Sequence, residues 1–179
     1  AKGAAQEYQS WIAWHENNGK KKRAAALRRR TEKQPPRPLI SIIMPTYNTP
    51  VALLGEAIDS VVAQACADWE LCIADDASCK PEVLEALAAY ATADPRIKIV
   101  YRDERGGIAR ASNSALDIVT GQWVAMLDHD DLLAPQALLR VAETIKAKPQ
   151  SQVIYSDEDK ITETGHRHSV YFKPDFSLE

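Results

Sequence analysis

The sequence predicts an α/β fold: a mostly parallel sheet with helices on both faces, preceded by a basic helical arm. Three observations carry this. Short apolar segments rich in β-branched residues alternate five times with segments whose apolar residues recur at helical spacing. The strand-like segments are short and mainly apolar, which suits strands covered on both faces. Four of the five end in polar, mostly acidic residues, and in open sheets of this kind ligands bind outside the carboxyl ends of the strands.

The elements follow in order. Residues 4–31 read as helix in two pieces, broken near Asn17-Asn18-Gly19, with Tyr8, Trp11, Ile12 and His15 on one face. Pro35, Pro36 and Pro38 close this arm as a stiff linker. The chain therefore divides into an arm over 1–38 and an α/β unit over 39–179. Leu39 to Met44 is a buried strand ended by Pro45. Thr49-Pro50 offers an N-cap and a first-turn proline for a helix with Val51, Leu54, Ile58, Val61, Val62 and Ala65 on its apolar face. Trp69 to Ala74 is the second strand, and Pro81 opens a helix with Leu84, Leu87 and Ala91. Ile97 to Tyr101 is the third strand. Gly106-Gly107 leads into a helix carrying Ile108, Ala111, Ala115 and Val119. Trp123 to Leu127 is the fourth strand, and Pro135 starts a helix with Leu138, Ala142 and Ile145. Val153-Ile154-Tyr155 reads as a fifth strand, with His166 and His168 on a polar hairpin after it.

With 179 residues, 45% hydrophobic and 26% charged, the chain has the composition of a soluble globular domain. No apolar run approaches the roughly 18 residues of a membrane span, and no signal peptide is recognised. Cys66, Cys72 and Cys79 fit no metal spacing and no CxxC, as in a reducing cytoplasm. The net charge of −3 hides an asymmetry. Residues 1–40 hold ten Lys/Arg against three Glu, and residues 41–179 hold twelve Lys/Arg against twenty-two Asp/Glu. An acidic body excludes general nucleic-acid binding. It would take a phosphorylated ligand only with help, most simply from a divalent cation.

The acids are placed for that. Asp128 and Asp130 leave the fourth strand and can hold a hard cation that keeps waters and takes phosphate oxygens. The plainer reading is a solvated loop in which Asp131 caps the next helix. Asp75-Asp76 after the second strand is a second acidic exit, or an Asx turn for one of the two. Tyr47 either packs on a nucleobase or covers the sheet edge. There is no GxGxxG and no GxxxxGK[ST], so dinucleotide-binding and P-loop folds are disfavoured. A phospho-acceptor receiver would carry its acidic pair after the first strand, whereas here it follows the second.

Taken together, Ser41-Ile42-Ile43-Met44-Pro45-Thr46-Tyr47-Asn48, Ile73-Ala74-Asp75-Asp76-Ala77-Ser78 and Asp128-His129-Asp130-Asp131 resemble a family 2 glycosyltransferase of the Rossmann-like GT-A type. The connecting Ser60-Val61-Val62-Ala63-Gln64, Asn113 and Gly121 agree. Tyr155-Ser156-Asp157-Glu158-Asp159-Lys160 and Tyr171-Phe172-Lys173-Pro174 resemble a bacterial subgroup of O-antigen and other surface-polysaccharide enzymes, including rhamnosyltransferases. The resemblance covers about residues 39–179.

It implies an inverting hexosyltransferase that moves a sugar from a UDP- or dTDP-linked donor to a glycan or lipid-linked acceptor. Pro45, Thr46, Tyr47, Asn48, Asp75, Asp76, Arg110 and Asp128 match nucleotide-binding positions, with Asp76 accepting the imino N–H of uracil or thymine. Asp128 and Asp130 match the motif for Mg²⁺ or Mn²⁺. Asp157 and Asp159 border the donor sugar. Arg110 lies near the family's usual diphosphate-side arginine, and the chain departs from the family pattern in having Ser112 where an arginine is common just before Asn113. The base is a carboxylate of the acceptor half, expected beyond Glu179, so the chain reads as part of a longer transferase with further domains. A non-catalytic sugar-nucleotide-binding module of the same fold is the alternative. The implied location is cytoplasmic, with peripheral contact at the inner membrane through Tyr8, Trp11, Trp14 and the basic set Lys20, Lys21, Lys22, Arg23, Arg28, Arg29 and Arg30. The competing expectation is that Trp11 packs on protein.

Overall fold

A computed structural model describes residues 2–13 and 38–175. The elements are α1 (Lys2–Ile12), β1 (Ile40–Thr46), α2 (Val51–Val62), β2 (Trp69–Asp75), α3 (Pro81–Ala93), β3 (Ile97–Tyr101), α4 (Ile108–Leu116), β4 (Trp123–Met126), α5 (Ala137–Ala147), β5 (Glu158–Ile161) and β6 (Arg167–Tyr171). The first four strands form a parallel sheet in the order β3-β2-β1-β4. β5 and β6 form a separate antiparallel hairpin.

Alternation along the strands splits the core in two. Ile40, Ile42, Met44, Trp69, Leu71 and Ile73 pack against α2, α3 and α5 through Leu54, Ile58, Val61, Val83, Leu87 and Leu138. Ile43, Cys72 and Ala74 face the other way, against Ala111 and Ala115 of α4. The small residues of α4 let it lie close on β1 and β2. α4 does not shield the outer strand of that face, where Val124 and Met126 are 44% and 79% exposed.

Several expectations change. Val153-Ile154-Tyr155 is not a strand. A strand exists only through a partner's hydrogen bonds. Here Val153 is 70% exposed, and the Tyr155 hydroxyl donates to the Pro174 carbonyl at 2.8 Å. The fifth strand is instead β5, in the hairpin that carries His166 at its turn and His168 on β6. Thr49 is not an N-cap: Pro50 holds that position without a side-chain bond. The Thr49 hydroxyl pairs with that of Thr46, 2.7 Å away, because both are buried and need a partner. Pro81 does occupy the first turn of α3. α5 starts at Ala137, two residues after Pro135.

In the arm, α1 is helical as expected, and Tyr8 is buried. Trp14, His15, the break at Asn17–Gly19, the seven-residue basic set, Pro35 and Pro36 lie outside the described residues. Among the described residues no helix is long and apolar enough to cross a membrane.

Candidate functional site

Parallel pairing brings Thr46, Asp75 and Tyr101 into register, so the exits of β1, β2 and β3 stand side by side. β4 joins them, and Leu127 N–H donates to the Ile43 carbonyl. Pro45 is buried within β1 beside Ala74. Asn48, at φ 48°, ties two loops together. Its N–H donates to Ser78 Oγ at 2.7 Å, and its Oδ1 accepts the Cys79 N–H at 2.9 Å.

Neighbouring aspartates point to opposite faces of the sheet. Asp75 lies on the α2–α3 side, 1% exposed. Its Oδ2 accepts the Ser78 N–H at 2.9 Å, which is the Asx turn. Its Oδ1 is buried with no hydrogen-bond partner. Such an oxygen costs free energy unless a donor meets it. Asp75 is also one of the residues lining a cavity of about 510 Å³, with Ala77, Leu84, Tyr101 and Arg102. Asp76 faces α4 and is already engaged. Its carboxylate accepts Gly106 N–H at 2.8 Å, Gly107 N–H at 2.7 Å and Arg102 Nε at 2.9 Å. Burial alone raises its carboxyl, but the two glycine N–H groups and Arg102 more than offset this and hold it below the ordinary 3.8.

The loop that Asp76 grips carries Arg102 and Arg105, and Arg110 follows in α4. Arg102 also donates to Ser114 Oγ at 2.6 Å. The Arg105 guanidinium lies 4.2 Å over the Tyr47 ring, a cation–π contact. A Cβ on Gly106 would fall 2.6 Å from Arg110 Cδ and 2.7 Å from Arg102 Nη2, so the arginines close around this glycine and would have to shift to admit a side chain. Gly107, at φ 79°, supplies the left-handed turn into α4. Arg110 was legible in the sequence, but Arg102 and Arg105 were missed. The signal was their spacing around Gly106-Gly107.

Asp76→Asn sets an NH₂ group against these donors. It is expected to lower stability by about 1.5–3 kcal/mol, read from urea melts. Asp75→Asn touches an oxygen without a partner and should cost less. Equal losses in the two variants would overturn this division of labour.

Asp128, Asp130 and Asp131 are exposed on the β4 exit. Asp131 closes a turn onto the Asp128 carbonyl and does not cap α5, which begins six residues later. Its carboxyl is pushed up by partial burial, then by the charges of Asp130, Asp128 and Glu158. Among the described residues no hydrogen bond or ion pair engages the Asp128 or Asp130 side chain, and no three His, Cys, Asp or Glu side chains form a ready-made metal cage. The loop is thus an acid cluster in which His129 opposes the charges that bear on Asp131 without pairing the Asp128 or Asp130 carboxylates, a donor set that fits a hard divalent cation completed by water or phosphate oxygens.

The expected sugar-side acids are given to the framework. Asp157 Oδ1 accepts the Lys173 N–H at 2.9 Å, and Glu158 pairs with Lys173 Nζ at 2.9 Å. Asp159 Oδ2 accepts Arg167 Nε at 2.5 Å and the Tyr8 hydroxyl. The two motifs at 155–160 and 171–174 are therefore one clasp.

Comparison with known proteins gives the family and the fold. A family model described as Glycosyl transferase family 2 matches residues 41–178. The O-antigen biosynthesis protein RfbC of Myxococcus xanthus is 38% identical over 79% of this chain, which spans 11% of that relative's length. Among solved structures, S. aureus TarS 1–349 in complex with UDP-GlcNAc superposes with a TM-score of 0.57 and 26% identity, over 62% of this chain and 32% of that one. A Pyrobaculum calidifontis mannosyltransferase in complex with GDP-Man and Mn²⁺ gives 0.55 and 27%, over 75% of this chain and 45% of that one.

Proposed function

The chain belongs to glycosyl transferase family 2, and from that premise we propose that residues 39–179 are the nucleotide-sugar-binding half of an inverting, metal-dependent glycosyltransferase of bacterial surface-polysaccharide synthesis. The observation that carries this reading is the polar edge of the sheet. There the acid-rich Asp128–Asp131 loop, the unpartnered Asp75 Oδ1 and the Tyr47 ring stand at the ends of neighbouring strands. The RfbC name supports the polysaccharide assignment, and the UDP-GlcNAc and GDP-Man complexes support a nucleotide-sugar donor.

In this reading Tyr47 stacks the base of a UDP- or dTDP-linked donor. The sequence assigns the imino N–H to Asp76, but that carboxylate is taken by Gly106, Gly107 and Arg102, so in this reading Asp76 holds the arginine loop in place and the imino N–H falls to its neighbour Asp75. Arg105 and Arg110 bring positive charge to the diphosphate that the acidic edge would otherwise repel. Asp128 and Asp130 would hold Mg²⁺ or Mn²⁺, and the bound cation would supply Lewis-acid neutralisation of the leaving diphosphate. The acceptor is a glycan or a lipid-linked sugar.

Calorimetry with UDP, dTDP, GDP and ADP, each with Mn²⁺ or EDTA, tests this. UDP or dTDP should bind at least about tenfold more tightly than ADP, the effect of one hydrogen bond to a charged acceptor. EDTA should remove most of that binding. ADP binding as well as UDP and dTDP would overturn the base assignment, and equal affinities with and without EDTA would overturn the metal role. Donor binding by the full-length protein without transfer to any acceptor would favour the non-catalytic module.

A further inference from the structure

α1 lies outside the stretch that matches the family model, yet it is bonded into the domain. Tyr8 is 8% exposed, and its hydroxyl donates to Asp159 of β5. Gln9 Nε2 donates to the Arg167 carbonyl of β6 at 2.6 Å. Arg167 in turn pairs with Asp159 at 2.5 Å and reaches the Tyr8 hydroxyl at 3.4 Å. One helix thus holds both strands of the hairpin through a closed triad.

The hairpin needs such a hold. A two-stranded ribbon is marginal by itself, and most residues of β5 and β6 are exposed or half-buried. Its register shifts between Glu158 and Lys160, at Asp159, and an irregularity of this kind re-aims a side chain. Tyr8 meets Asp159 at that point. The next residue back, Glu158, is one of the charges that bear on the Asp128–Asp131 loop. Tyr8 keeps its proton, because burial and then the Asp159 bond push its hydroxyl up to about 12.

We propose that α1 is a clamp on the β5–β6 hairpin, with Tyr8 acting through Asp159 as a positioning residue that keeps the 157–159 segment beside the acidic loop of the donor site. The clamp stands on the contacts above, and the positioning role rests on the reading of that loop as the metal and donor site. Turned inward, Tyr8 is not an aromatic anchor for a membrane surface.

The test uses the 179-residue chain with Tyr8→Phe, which removes one hydroxyl, and Asp159→Asn. Hydrogen exchange of amides 158–171 should quicken about tenfold or more in each variant. Protection in β1 and β2 should be unchanged, which shows that the sheet is folded. Mn²⁺-dependent UDP binding should weaken about three- to tenfold, and the double variant should go no further than either single one. Unchanged hairpin exchange in both variants would overturn the clamp. Faster exchange with unaltered UDP affinity would overturn the positioning role. If the parent chain shows no Mn²⁺-dependent nucleotide binding, the donor-site reading fails and the positioning role with it, while the exchange data still decide the clamp.

Discussion

Glu70→Ala is expected to lower the unfolding free energy by about 3–5 kcal/mol, because it strips one side of a buried ionic cluster. Glu70 is 4% exposed in the middle of β2. Its carboxylate accepts Lys98 Nζ of β3 at 2.6 Å, Ser41 Oγ of β1 at 2.6 Å, and the Thr120 N–H and hydroxyl at 2.6 and 2.7 Å. One side chain therefore joins three strands to the turn that launches β4. That turn closes tightly: a Cβ on Gly121 would sit 2.5 Å from Ser41 Oγ and 2.6 Å from the Leu39 carbonyl oxygen. Alanine would leave all four donors without an acceptor and fill none of the space. Glu70→Gln keeps the shape and should cost less.

The same cluster sets an acid response. Burial alone would raise the Glu70 carboxyl, but the Lys98, Ser41 and Thr120 bonds outweigh it and lower it from 4.5 to about 2. A carboxyl depressed in the folded state contributes stability that is present above its unfolded value and is lost as pH falls through its folded value. Here that window runs from about 4.5 down to about 2, and the contribution is roughly 3 kcal/mol. Urea melts of parent and Glu70→Ala across this range should therefore converge as pH falls. Parallel curves, or a loss below about 1 kcal/mol at pH 7, would show that Glu70 does not organise this end of the sheet.

Asp130→Ala should have the opposite signature. We expect Mn²⁺-dependent UDP binding to fall by about a hundredfold or more, since loss of a direct ligand exceeds the 10–100-fold cost of losing an outer partner. Asp128→Ala should have a similar or smaller effect. Neither substitution should reduce stability in EDTA, because no hydrogen bond or ion pair among the described residues is lost. Removing one of the charges that push up Asp131 should if anything raise the melting point. Calorimetry and thermal melts on the same samples separate the two effects. EDTA-sensitive binding at parental strength in Asp130→Ala would mean that the cation is held elsewhere.

The parallel sheet, its helices and the acidic edge were legible in the sequence because each leaves a local trace. The run Ile40–Met44 is buried and mainly apolar, and Leu54, Ile58 and Val61 recur at helical spacing. Polar residues begin where each of these strands stops. The family motifs were legible for the same reason: they mark strand exits at characteristic intervals. By itself the sequence thus determined the fold class, the edge that carries the site and the acids on it. What each acid does was decided by the tertiary structure. Asp75 and Asp76 are adjacent and chemically identical, yet strand alternation turns one to the α2–α3 side with a buried, unpartnered oxygen and the other onto Gly106, Gly107 and Arg102. Val153–Tyr155 has the composition of a strand but lacks the neighbour that would make it one. Asp159 is held by a tyrosine 151 residues away, and Glu70 by Thr120, 50 residues away. Periodicity is a property of neighbouring residues and can be read along the chain. The partner of a carboxylate is settled by contacts between distant segments, which exist only once the sheet and the hairpin are assembled.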